Sequence, residues 1–372
     1  MKTIDDIRVV LLAEGSDDNG IVRQFTGLPG KEYLRYTDEI SLGKLLESLK
    51  GQGFLSKEVL ILKAFNGRIY QQCPGSPGMI CCNYRLLNTC FGCLYDCTYC
   101  FLNSYLNSFG IVQFTSFPDI AAEVAANTSA DRDMLYRVGT GEFTDSLMMD
   151  DVTGLGSKII HDTLGLRNVI MEFKTKSSSV DHLLDIEEKG NTVMAWTLNT
   201  PTNVGLYEAG TANLDERLAA ASRAGRAGYN LAFHFDPVIM YDGFLDDYIA
   251  VIDRLFSEVP AEKILWISIG CFRYSPGFKD IIADAFPGEQ LTTGELFPGQ
   301  DGKYRYLKKH RIAVYRTIRE AIYKYTTRPF VYLCMESSDV WQAAFGIEYT
   351  CSEELERDFS DHLKRNFPEL GW

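Results

Sequence analysis

From Asn83 onward the chain alternates short β-rich apolar runs with stretches of helical periodicity, and this restricts it to an α/β architecture built on a parallel sheet. The strand candidates are YRLLN (84–88), MLYRVGTG (134–141), NVIMEFKT (168–175), TVMAWTLN (192–199), NLAFHFD (230–236) and ILWISIG (264–270). Between them lie the helical stretches PDIAAEVAANTSA, SLMMDDVTGLGSKIIHDT, SSVDHLLDIEEKG, NLDERLAAASRAGRAG and DDYIAVIDRLFSEV. Six strands, each followed by a helix when the basic segment near the end counts as the last, predict a partial (β/α)6 TIM-type barrel. An open doubly wound sheet is the fallback. Residues 1–80 read as a small N-terminal α/β portion, with strands in IRVVLLAEG and EVLILKAFNG and a helix in SLGKLLESLKGQG. Residues 81–300 form the core, and residues 301–372 a helical and basic extension that completes it. The turn CPGSPGM (73–79) connects the first two parts.

In either architecture function sits where the βα loops converge, at the C-terminal ends of the strands. The residues found there carry chemistry. CFGCLYDCTYC (90–100) follows the first strand, Gly141 and Glu142 end the second and Lys174 the third. Asn199 ends the fourth, His234 and Asp236 the fifth, and Asp145 and Glu172 stand by the same mouth.

No apolar run approaches the roughly 18 to 20 residues that span a bilayer, and the start MKTIDDIRVVLLAEG has acids where a secretory leader is basic. A cytoplasmic chain with no membrane partner is therefore expected. There ten cysteines point to metal or redox chemistry rather than disulfides, and seven of them (Cys73, Cys81, Cys82, Cys90, Cys93, Cys97, Cys100) crowd into one region. The net charge of −13 excludes a surface given over to nucleic acid. One segment dissents: between Gly302 and Phe330 nine Lys and Arg face the single acid Glu320. It reads as a solvated helix face, or as a basic strip over 303–328 that meets nucleic acid.

The cluster Cys90-x2-Cys93-x3-Cys97-x2-Cys100 does not match paired zinc ligands, which stand a dozen or more residues apart, nor a ferredoxin run, which ends in Cys-Pro where this chain has Phe101. Zinc and a plain ferredoxin-like site remain as alternatives. The spacing is used best by Cys93-x3-Cys97-x2-Cys100, with Tyr99 before the last cysteine. Three thiolates on one tight loop hold three irons of a [4Fe–4S] cluster and leave the fourth open.

That motif resembles the radical S-adenosylmethionine (SAM) superfamily. From Asn83 to about Gly243 the chain further resembles the spore photoproduct lyase family, through CLYDCTYCFLNSYL, FKTKSSSVDHLL, ERLAAASRAGRAGY and LAFHFDPVIMYDG in that order. The resemblance implies that Cys93, Cys97 and Cys100 ligate the cluster and that SAM chelates the open iron. One electron, from a reductant such as flavodoxin or ferredoxin, then yields methionine and a 5′-deoxyadenosyl radical. It places Tyr99 near the adenine, and Lys174 and Asn199 at the ribose or carboxylate of SAM. Gly141-Glu142 resembles the glycine–glutamate motif with which many radical SAM enzymes hold the SAM ammonium. Arg217 could reach a carboxylate, with Asn213 or a surface acid as its alternative partner.

Two departures from the family pattern stand out. Glu142 takes the place of a cysteine that donates a hydrogen atom to the product radical in the lyase that repairs the spore thymine dimer. Phe101 replaces the tyrosine after the last cluster cysteine. Reversal of a thymine dimer is therefore not expected through those positions, and the leading reading is a radical SAM enzyme with an unidentified substrate. The alternatives are lesion repair of the spore photoproduct lyase type and an iron–sulfur electron-transfer protein that makes no radical. The candidate catalytic residues are Cys271 and Cys334 as replacement hydrogen donors, and His234 and Asp236 for acid–base work or substrate hydrogen bonding. Burial in a core is the competing reading for the cysteines and the histidine. Cys73, Cys81, Cys82 and Cys90 are either ligands of a second centre or small apolar residues.

Overall fold

The structure, a computed structural model, describes residues 1–106 and 108–372. Its main sheet has eight strands in the order Phe330–Leu333, Ile264–Cys271, Asn230–Val238, Thr192–Thr197, Val169–Thr175, Tyr136–Gly139, Arg85–Leu87, Tyr70–Gln72. All neighbours are parallel except the last pair. The sheet curls without closing, so the fold is a partial barrel.

All six expected strands are present, and Phe330–Leu333 adds a seventh parallel one, paired with Ile264–Cys271 through Ile267↔Val331. The central strands are buried along nearly their whole length, as a sheet covered on both faces requires. The outer layer includes the helices Leu155–Thr163, Leu214–Arg226, Phe244–Glu258, Lys308–Tyr323 and Ser352–Asn366. Helix Leu214–Arg226 begins with a capping box. Asn213 Oδ1 accepts from Glu216 N at 2.9 Å, and Glu216 Oε2 accepts from Asn213 N at 2.7 Å. That start fixes the helix phase so that Leu214, Arg217, Leu218 and Ala221 all face inward.

A second sheet orders Glu32–Tyr36, Val9–Ala13, Val59–Lys63 and Ile111–Phe114 in parallel, with Cys90–Phe91 antiparallel at one edge. The portion expected to end at residue 80 thus draws two strands from beyond it. One consequence matters for the site: Cys90–Phe91 carries the chain from this sheet directly into the cysteine loop. A small antiparallel sheet of Arg273–Tyr274, Phe297–Pro298 and Tyr304–Arg305 follows the sixth expected strand. No helix is long and apolar enough to cross a membrane among the described residues.

Candidate active site

The C-terminal ends of the barrel strands surround a cavity of about 640 Å³, and Cys93, Cys97 and Cys100 line its wall as free thiols. Their loop is tied on several sides. Asp96–Cys97 pairs antiparallel with Glu208–Ala209, Cys97 lying opposite Glu208. Asn103 Nδ2 donates to the carbonyls of Cys97 at 3.1 Å and Thr98 at 3.3 Å, and Lys57 Nζ stands 2.9 Å from Asp96 Oδ1. Cys90 is buried and turned away, its sulfur 3.9 Å from the Gly92 carbonyl and outside the cavity lining. Only three of the four motif cysteines share the cavity.

The donor set fits an iron–sulfur cluster. Burial pushes the Cys93 thiol up to about 12 and raises Cys97 and Cys100 as well, so thiolates form there only beside the positive charge of a metal. Soft thiolates select zinc or iron–sulfur centres. Among the described residues no three His, Cys, Asp or Glu converge closely enough for a single ion.

Tyr99, Gly141, Glu142 and Lys174 line the same cavity. Gly141 is required by close approach: a Cβ there would lie 2.8 Å from the Lys174 carbonyl and 2.9 Å from Ser146 Oγ. Its absence lets the ends of Tyr136–Gly139 and Val169–Thr175 come together, placing Glu142 beside Lys174. Burial raises the Glu142 pKa against the pull of Lys174, while Asp236 and Glu142 hold Lys174 charged despite burial. A carboxylate and an ammonium side by side on a cavity wall match the ammonium and carboxylate of an amino acid, the end of SAM expected here.

Asn199 and Arg217 behave differently from expectation. Both are fully buried and outside the lining. Arg217 Nη2 meets Glu208 Oε2 at 2.5 Å, and its other donors reach the Ala212 carbonyl at 2.8 Å and the Thr197 carbonyl at 3.0 Å. Asn199 Nδ2 donates to Glu208 Oε1 at 3.2 Å, and Asn199 Oδ1 accepts from Tyr248 Oη at 2.6 Å. Tyr99 Oη also donates to Glu208. Contact with SAM is therefore corrected to a supporting role for Asn199 and Arg217, because the buried Glu208 carboxylate takes their donors. Sequence reasoning missed Glu208, a lone acid in LYEAG with no patterned partner nearby.

The cavity floor holds His234, Glu172, Ser268, Arg137 and Tyr332. His234 Nε2 is 2.6 Å from Glu172 Oε1 and Nδ1 is 2.6 Å from Ser268 Oγ. Nε2 donates to the Glu172 carboxylate, and the Ser268 hydroxyl can either give a proton to Nδ1 or accept one from it, so both the neutral and the protonated ring are satisfied. Burial opposes the charge on Glu172, but His234, Arg137 and Lys174 more than offset it and bring the carboxyl down to about 2. Arg137 Nη1 donates to Tyr332 Oη at 2.7 Å. His234 is thus engaged on both nitrogens at the edge of the cavity.

Asp236 pairs with Arg273 at 3.1 Å, and Arg273 Nη2 points at Cys334 Sγ at 3.5 Å. Cys334 lines the cavity, and burial followed by the charge of Asp236 pushes its thiol well up. Cys271 differs: it is 2% exposed, outside the lining and beside Tyr315. A direct hydrogen donor at Cys271 is ruled out by that burial. Asp145 caps backbone, accepting from Lys176 N at 2.6 Å and Thr175 Oγ1 at 2.6 Å. Cys73, Cys81 and Cys82 line the cavity, whereas Cys90 does not.

The basic strip over 303–328 is largely spent on structure. Arg305 meets Asp301 at 2.5 Å, Arg311 meets Glu336 at 2.8 Å, and Lys308 and Arg328 pair with Asp339 and Glu369. Arg316 and Arg319 donate to the carbonyls of Ala343 and Phe345. A continuous exposed strip for nucleic acid is corrected accordingly, and Lys303 alone of the nine lines the cavity.

Residues 81–333 match the family model described as spore photoproduct lyase. Among curated relatives, the spore photoproduct lyase of Geobacillus sp. (strain Y412MC61) is 26% identical over 243 residues, covering 63% of this chain and 71% of the relative. That of Bacillus subtilis (strain 168) is 27% identical over 255 residues, covering 63% and 70%. A solved mutant spore photoproduct lyase with bound AdoMet and dinucleoside spore photoproduct superposes with a TM-score of 0.72 at 21% identity, over 89% of this chain and 99% of that one. Another, complexed with dinucleoside spore photoproduct, gives 0.72 at 21% identity over 88% and 98%. These superpositions establish the shared fold.

Proposed function

Since the chain belongs to the spore photoproduct lyase family, an enzyme family of radical SAM lyases, we propose that it uses SAM and a [4Fe–4S] cluster to act on a dinucleoside-type thymine photoproduct. The observation that carries this reading is the shared wall: Cys93, Cys97 and Cys100 stand on the same cavity as Glu142, Lys174 and an unused thiol, Cys334. Membership of an enzyme family sets aside the electron-carrier alternative. The comparisons favour lesion repair over the open-substrate reading drawn from the two departures, because solved relatives carry dinucleoside spore photoproduct.

When bound, the cluster supplies the electron that cleaves SAM to methionine and a 5′-deoxyadenosyl radical. Cys93, Cys97 and Cys100 would hold it. Glu142 and Lys174 would fix the amino-acid end of SAM, and Tyr99, anchored on Glu208, would face the adenosine end. Glu208 with Asn199 and Arg217 keeps that wall rigid. The departures at Glu142 and Phe101 then relocate the hydrogen donor rather than abolish it. Cys334 is kept as a thiol by burial, so its S–H bond can break as a C–H bond forms on the product radical. The remaining sulfur-centred radical returns to thiol with one electron and one proton from a reductant of the flavodoxin or ferredoxin class.

The test is anaerobic. Protein reconstituted with iron and sulfide and reduced by dithionite is given SAM, with and without dinucleoside spore photoproduct, beside Cys97→Ala. Wild type should form 5′-deoxyadenosine and release thymidine, and the variant neither. A well-formed cluster that leaves SAM intact removes the radical reading, and cleaved SAM with unchanged photoproduct removes the lesion reading.

A further inference from the structure

We propose that Lys303, with Arg273 beside it, forms an anion subsite for the phosphate of a nucleotide substrate; this rests on the lesion reading above. Lys303 is half-buried in the cavity wall, and Nζ donates to Ser76 Oγ at 2.7 Å and lies 3.9 Å from Met335 Sδ. Neither partner carries charge. The neighbouring guanidinium groups already have carboxylates, Arg273 with Asp236 and Arg305 with Asp301, and among the described residues Lys303 forms no ion pair. Burial and then Arg273 lower its pKa, and Asp301 offsets only part of that. Of the five cations on the cavity wall, Arg137, Lys174, Lys176, Arg273 and Lys303, it is the one carried by the loop entering Tyr304–Arg305.

Phosphate suits this corner better than an isolated carboxylate because of what else lines the cavity. Tyr105 is 58% exposed and Phe101 41% exposed, and Tyr105 stacks on Phe143 at 5.4 Å and 17°. All three border the same cavity. A cation for the backbone together with open aromatic faces for bases is how proteins hold unpaired nucleotides.

The test compares two ligands on the holoenzyme by equilibrium binding: a dinucleoside photoproduct without the internucleoside phosphate, and the dinucleotide that carries it. Wild type should bind the phosphate form about tenfold tighter at low salt, with the gap narrowing as salt rises. In Lys303→Gln the two should differ by less than about twofold, with Lys303→Arg keeping most of the gap. Ser76→Ala, which frees the ammonium without removing it, should preserve the preference. Equal binding of the two ligands by wild type, or a full gap in Lys303→Gln, overturns the subsite and leaves lesion repair standing. Binding of neither ligand by protein that still makes 5′-deoxyadenosine overturns both.

Discussion

Glu208 sits opposite Cys97 in a two-residue ladder while its carboxylate receives Tyr99, Asn199 and Arg217, so one side chain joins the cluster loop to the barrel. Burial works against its charge and Arg217 restores it, holding the carboxyl below its usual range. Glu208→Ala would leave a buried guanidinium without its carboxylate, a loss of about 3–5 kcal/mol. Glu208→Gln keeps the shape and should lose less. Chemical denaturation gives the stability, and electron paramagnetic resonance of the reduced cluster should show an altered signal in Glu208→Gln, which a purely global effect would not produce.

Gly141→Ala should push the strand ends apart. The added methyl meets backbone and a short side chain rather than a flexible tip, so about 1–3 kcal/mol of overpacking is expected. Because the displaced partner is Lys174, SAM affinity should fall as well. Isothermal titration with SAM, paired with thermal unfolding, separates the two effects.

Much of this arrangement is legible in the sequence, for a physical reason. The strands Val169–Thr175, Thr192–Thr197 and Ile264–Cys271 are buried on both faces and read as largely apolar, β-rich runs, and parallel connections bring their C-terminal ends together. That alone assembles Cys93, Glu142, Lys174 and Asp236. The seventh strand was hidden because Phe330–Leu333 is four residues long and follows a basic helix. Ile111–Phe114 was hidden because it pairs with Val59–Lys63, Ile111 lying opposite Leu60 from the far side of the connecting turn and the cysteine loop. Asn199 and Arg217 sit where ligand contacts were expected, yet their direction depends on Glu208, and no local pattern announces which way a side chain at a strand end will turn.

The Glu172–His234 pair predicts an acid limit. The Glu172 carboxyl falls from an ordinary 4.5 to about 2 in the folded chain. A depressed carboxyl contributes stability that is complete above its unfolded pKa and is lost as pH falls toward its folded one. The loss therefore runs from about pH 4.5 to about pH 2 and amounts to about 3 kcal/mol. In Glu172→Gln the dependence across that window should shrink. Urea titrations of the cluster-free chain at pH 5, 4 and 3 measure it, and an unchanged pH slope in the variant would place the acid sensitivity elsewhere.

Cys334 and Cys271 offer opposite outcomes from chemically similar changes. Cys334 faces the cavity beside Asp236 and Arg273, and Cys271 is sealed behind Tyr315 at 2% exposure. A serine O–H bond is stronger than a thiol S–H bond, so Cys334→Ser should still permit SAM cleavage but fail to return a hydrogen atom to the product radical. The ratio of repaired thymidine to 5′-deoxyadenosine should fall at least about tenfold, a barrier increase of about 1.4 kcal/mol or more. In its place, adducts or off-pathway thymine products should accumulate. Cys271→Ala removes a single buried sulfur atom and should cost about 1 kcal/mol of stability with that ratio unchanged. Running the reaction in deuterium oxide gives the decisive readout. A thiol exchanges its proton with solvent, so wild type should place deuterium in the product methyl group and Cys334→Ser should not. Equal deuterium incorporation by both would move the donor to Cys73, Cys81 or Cys82, which face the same cavity.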